Sequence, residues 1–115
     1  MIKEANVTVM VSDVRRSVEF YTKTLGLKLK AQYGPEFAQV EAPGTIIALH
    51  PARTNMQSSE RISIGFSVDS LDKAIADLKS KGVEFSKVTD DAQVKLAFFT
   101  DLDGTPLYLS QSAWG

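Results

Sequence analysis

The sequence predicts an α+β fold built from two tandem βαβββ modules, and three observations carry that prediction. The segment from Glu4 to Ser12 alternates with period two, setting Val7, Val9 and Val11 against Asn6, Thr8 and Met10, the pattern of a strand covered on one side. Val14, Val18, Tyr21 and Leu25 then recur at helical spacing, leaving Arg15, Arg16, Glu19 and Lys23 for the wet side. Finally the grammar repeats. A shift of about 57 positions lays Val68-Asp69-Ser70-Leu71 over Val11-Ser12-Asp13-Val14.

Within the first module, Ser12 or Asp13 caps the helix and Gly26 closes it, because glycine takes a positive φ without strain. Three extended segments follow: Leu27 to Tyr33, Phe37 to Ala42 and Thr45 to His50, divided by Gly34-Pro35 and Pro43-Gly44. Residues 53–60 are polar and turn-rich, and read as a connector between module 1 (1–52) and module 2 (61–115) of one domain. The second module opens with the alternating strand Ile62 to Val68. Ser70 caps its helix, Leu71, Ala74, Ile75 and Leu78 form the helix's apolar stripe, and Gly82 ends it. Val83 to Val88, Val94 to Thr100 and Pro106 to Ser110 complete the unit, with the turn Asp101-Leu102-Asp103-Gly104 before the last strand.

Composition excludes several classes of function. The chain has 115 residues, 43% hydrophobic and 23% charged, which suits one globular domain with a real core. Thirteen Lys and Arg against 14 Asp and Glu leave a net charge of -1, too little field to attract nucleic acid or an anionic membrane. With no cysteine there is no disulfide framework, thiolate nucleophile or Cys-based zinc site. No apolar run approaches the roughly 20 residues of a membrane span, and Met1 to Asn6 lacks a signal-peptide core, so a cytoplasmic protein is expected.

The two faces of the strands differ in chemistry. One is apolar (the three valines, Ile47, Leu49, Ile62 through Val68, Leu107 and Leu109) and belongs under the helices. The other is small and polar, with Asn6, Thr8, Met10, Ala48, His50, Ser63, Gly65, Ser67, Tyr108 and Ser110. Such a face either meets solvent or curves around a ligand cavity.

The stretch from Asn6 through Tyr21 to Leu25-Gly26-Leu27, with its V-S-D helix entry, F-Y and L-G-L, resembles the vicinal oxygen chelate superfamily. So does Phe99 to Leu109, with its D-x-D-G turn. That family includes glyoxalase I, bleomycin-resistance proteins and extradiol dioxygenases. The resemblance implies paired modules in a cupped eight-stranded mixed sheet, helices outside, in a homodimer with a cavity in each cup. It also implies where a metal would sit in the enzymes of the family: His, fourth-strand, His and Glu positions that correspond here to Asn6, Ala48, Ser63 and Tyr108. Neutral Asn and Ser oxygens are weak donors, Ala has none, and a Tyr phenol rarely ligates without strong help, so no metal and no other cofactor is expected.

The expected ligand site takes Met10, Ile46, Phe99 and Tyr108 as an apolar floor, with Asn6, Ser63 and His50 fixing polar groups and Thr8 and Ala48 beside them. His50, the only histidine, shares the strand parity of Ala48 and reads either as a general base or as a strand-end residue beside Pro51. A displaced metal site on His50 and Glu41 has too few ligands. Tyr108 reads as a ligand contact or as filler, and Asp101 and Asp103 as turn residues. Phe37, Phe99 and Trp114 otherwise read as packing. Two functions remain open. One is a metal-independent protein that sequesters a drug or metabolite, like the bleomycin-resistance branch of the family. The other is a lyase, isomerase or dioxygenase with a displaced metal, or with Tyr108 and His50 as acid and base. A structural dimer without ligand is a third possibility, which the polar face opposes.

Overall fold

A computed structural model describes residues 7–52, 63–90 and 94–112. Its contacts divide the chain into two compact units, Met1–Gln57 and Ser58–Gly115. Each contains one helix and one four-stranded mixed sheet, so the duplication visible in the sequence is a duplication of topology.

In the first unit β1 (Val7–Val11) leads into α1 (Val14–Glu19), followed by β2 (Lys28–Tyr33), β3 (Phe37–Ala42) and β4 (Thr45–Pro51). The strand order is β1-β4-β3-β2, with β1 parallel to β4 and the other pairs antiparallel. Asp13 Oδ1 accepts from the Arg16 amide at 3.2 Å, the N-cap bond that starts α1. The helix then departs from the regular spacing read in the sequence. Residues Phe20–Thr24 form a π-helical turn in which the Leu25 amide donates to the Phe20 carbonyl at 3.0 Å. Thr22 Oγ1 donates to the Val18 carbonyl at 2.6 Å and so competes with the α-helical ladder at the widened turn. The wider turn buries the consecutive rings of Phe20 and Tyr21 on the same side, whereas Val18 and Leu25 are only half-buried. The buried stripe is therefore Val14, Ser17, Phe20 and Tyr21.

The second unit has β5 (Ile64–Ser67), α2 (Leu71–Ser80), β6 (Lys87–Asp90), β7 (Val94–Thr100) and β8 (Pro106–Ser112), in the order β5-β8-β7-β6. Ser70 Oγ accepts from the Lys73 amide at 3.3 Å, and Gln111 Oε1 accepts from the Leu71 amide at 2.7 Å, so two side chains satisfy the first turn of α2. At the other end Gly82, at φ +95°, lets the Val83 amide donate back to the Leu78 carbonyl while its own amide bonds to Lys79. That closure buries Val83 beside Leu78 and delays the next strand: β6 begins at Lys87, not at Val83 as the sequence suggested.

Helix α1 packs on β3 and β4, and α2 on β7 and β8. The faces beneath them hold the core. Val9, Val11, Val40, Ile47 and Leu49 fill the first, while Leu71, Leu78, Phe99, Leu107 and Leu109 fill the second. Each such side chain contributes roughly 1.5–3 kcal/mol on burial. Among the described residues no helix is long and apolar enough to cross a membrane.

Candidate functional site

Strand alternation turns the other face of each sheet away from its helix, and the register fixes which side chains stand together there. In the first unit Thr8 pairs with Ala48 and Met10 with His50 across the parallel β1–β4 ladder. Gln39 joins Ala48 from β3, and Ile46 pairs with Glu41. Ala48 is buried, Met10, Ile46 and His50 are half-buried, and Thr8 is exposed. This face is more aromatic than its composition suggested. Phe37 lies with its ring centroid 6.2 Å from that of His50, and Tyr33 lies 5.6 Å from Phe37.

The His50 ring makes one hydrogen bond to the backbone. Its Nδ1 lies 3.0 Å from the Pro51 carbonyl oxygen, and since a carbonyl only accepts, the proton belongs on Nδ1. In the neutral ring Nε2 is then left as an acceptor.

In the second unit Tyr108 pairs with Gly65 on one side and Phe98 on the other. The Tyr108 and Phe98 ring centroids are 6.1 Å apart, and the Tyr108 ring lies so close over Gly65 that a Cβ there would collide with it. Lys87 extends the row beyond Phe98. Ser63 is exposed just before β5 begins. Asn6 and Trp114 lie outside the described residues.

Phe99 does not belong on this face. It pairs with Leu107 on the core side, is 2% exposed and packs against Phe85 at 5.4 Å. The turn before β8 sets the parity: Thr100 pairs with Pro106, so Phe98, not Phe99, stands opposite Tyr108. Counting back across that hairpin from Tyr108 is the sequence signal that finds Phe98. Phe37 and Tyr33 are found in the same way, by counting from His50 across two antiparallel ladders.

Asp101 is 6% exposed, and its Oδ1 accepts from the amides of Asp103 at 2.9 Å and Thr105 at 2.8 Å. Those bonds make it the organiser of the turn, as its D-x-D-G context predicted.

A divalent ion does not fit the donor set. Ala48 offers no donor, Ser63 is an exposed hydroxyl, and the Tyr108 ring is laid over Gly65. His50 and Glu41 cannot share an ion either. Glu41 pairs with Ile46, four residues before His50 on β4, a separation of roughly 14 Å along the strand, against metal–ligand bonds of about 2 Å. Among the described residues no three His, Asp or Glu side chains converge.

A family model described as the Glyoxalase/Bleomycin resistance protein/Dioxygenase superfamily matches residues 5–108. Among solved structures, TnmS3, an antibiotic binding protein from Streptomyces sp. CB03234, is 26% identical with a TM-score of 0.78, over 98% of this chain and 100% of that one. A glyoxalase/bleomycin resistance protein/dioxygenase from Nocardioides is 25% identical with a TM-score of 0.77, over 100% of this chain and 87% of that one. Lactoylglutathione lyase from Agrobacterium tumefaciens is 10% identical with a TM-score of 0.77, over 95% of this chain and 92% of that one, a likeness of fold alone. No curated protein sequence matches the chain.

Proposed function

The chain belongs to the glyoxalase/bleomycin resistance protein/dioxygenase superfamily, and from that premise we propose that it is a metal-independent small-molecule-binding member, holding a drug or metabolite without transforming it. The observation that carries the reading is Tyr108. The position where the resembled enzymes keep an acidic metal ligand holds a phenol ring laid over Gly65 and in contact with Phe98. An aromatic pair with a hydroxyl at its rim is a contact for a flat ligand, worth about 0.5–1.5 kcal/mol beyond buried area. The likeness to an antibiotic binding protein at 26% identity supports the same class.

The resemblance also brings a homodimer to the proposal. Light scattering coupled to size exclusion checks it, with twice the 12.6 kDa chain mass as the expected result. An enzymatic reading draws on one feature, the free acceptor nitrogen of His50, which suits a general base.

The deciding experiment screens antibiotics and metabolites by thermal shift, then follows each hit by calorimetry and by mass spectrometry of the recovered compound. Stoichiometric binding with the compound returned intact supports sequestration. Conversion of a hit by metal-free protein assigns the chain to the enzymes, and a library without any hit overturns the binding reading.

A further inference from the structure

One row of side chains crosses all four strands of the first unit at a single level: Tyr33 on β2, Phe37 on β3, His50 on β4 and Met10 on β1. Tyr33 pairs with Phe37 and Met10 with His50. The rings are tilted by 37° between Tyr33 and Phe37 and by 69° between Phe37 and His50. Core packing does not call for them, because they stand on the face opposite Val40 and Leu49, and Tyr33 is 64% exposed. The duplicated unit confirms that the fold does not need them. Its equivalent level holds Thr89, Leu96, Ser110 and Ser67, with no ring.

We propose that this row is the recognition strip of a small-molecule site on the first unit, and that it selects flat aromatic ligands carrying a hydrogen-bond donor, a phenol or ring N–H, at one end. Tyr33 and Phe37 supply the stacking surface, with centroid spacings inside the range over which rings attract. His50 supplies the acceptor. Its ring is steeply inclined to Phe37, so a ligand lying parallel to Phe37 meets the imidazole at a steep angle and does not stack on it. Nδ1 is committed to the Pro51 carbonyl, and in the neutral ring Nε2 presents a lone pair. A ligand that ends in an acceptor would set lone pair against lone pair, while a donor completes the bond. Met10 closes the row with a polarizable thioether that adapts to ring edges. The inference rests on the reading of the chain as a small-molecule binder, and adds the chemical class of the ligand.

The test uses 2-naphthol and 2-methoxynaphthalene, in which a methyl group replaces the hydroxyl proton and so removes the donor. Affinities are measured by fluorescence titration. The imidazole nitrogens are followed by 15N NMR, where the single histidine makes the assignment unambiguous. The free protein should show the Nδ1–H tautomer. The naphthol should bind about 5- to 10-fold more tightly than its ether, the gain of one hydrogen bond, and should move the Nε2 resonance where the ether does not. His50→Phe should erase the preference, and Phe37→Ala should weaken both compounds. Equal affinities for the two compounds, a preference that survives His50→Phe, or an Nε2–H tautomer would each overturn the proposal. If other compounds from the screen bind and neither naphthalene does, the strip is wrong and the binding reading stands; if nothing binds, both fall.

Discussion

The Tyr108 ring occupies the space directly over Gly65, where any Cβ would collide with it. Gly65 is not needed for its backbone, since the positive-φ glycines lie elsewhere, at residues 26, 34, 44, 82 and 104. It is needed for the ring. Gly65→Ala should therefore force Tyr108 off its position and destabilise the protein by about 1–3 kcal/mol, as overpacking does. In a Tyr108→Ala background the same change should turn neutral or stabilising by about 0.4–1 kcal/mol, because alanine restricts the unfolded chain. Urea denaturation of the four proteins in the cycle measures the coupling, and additive effects would mean that the ring and the glycine do not meet.

Tyr108 and Phe99 should separate binding from folding. Tyr108 is half-buried on the face away from the helix, whereas Phe99 is 2% exposed in the core. Phe99→Ala should cost about 3–5 kcal/mol of stability. Tyr108→Ala should cost less than that and weaken a ligand found in the screen by about 1–3 kcal/mol. Melting temperature and calorimetric affinity, measured together, report both. A Tyr108→Ala protein that melts much earlier yet binds unchanged would return the residue to the core.

The contrast between these two aromatics shows what the sequence could convey. Period-two alternation placed Val9, Val11, Ile47 and Leu49 correctly because burial is decided strand by strand. Duplication carries the topology, and the cap signals, Ser12-Asp13 for α1 and Ser70 for α2, mark both helix starts, with Asp13 the residue that makes the first cap. Phe98 and Phe99, by contrast, are adjacent and equally apolar, and only the pairing of Thr100 with Pro106 decides which of them enters the core. The π-helical turn at Phe20–Thr24 was invisible for a related reason: two neighbouring rings both needed burial, and the helix widened to allow it. The row from Tyr33 to Met10 depends on register across three ladders, information that no single segment contains.

Asp101 should prove structural. Its Oδ1 holds the Asp103 and Thr105 amides, and the turn they form fixes the parity of β7 against β8. Asp101→Ala removes the acceptor from two amides at a buried position and should cost about 2 kcal/mol or more. Asp101→Asn keeps a carbonyl oxygen and should recover most of that loss. Chemical denaturation checks both variants, and a stability unchanged by the alanine would show that the turn holds without its carboxylate.

Metal removal is the sharpest test of the proposed class. Three of the four positions that carry ligands in the resembled metalloenzymes are described, and they hold Ala48, Ser63 and Tyr108: one without a donor and two with neutral hydroxyls. Divalent ions of the first transition series are retained by about three imidazole, thiolate or carboxylate donors, and neutral hydroxyls are poor substitutes. Protein dialysed against a chelator should keep its melting temperature and its affinity for any ligand from the screen. Elemental analysis before dialysis should find well under one equivalent of zinc, nickel, manganese or iron. A stoichiometric metal whose removal lowers the melting temperature would refute metal independence. Since His50 is the only histidine, a shift of its 15N resonances on metal return would show whether the ion had been held there.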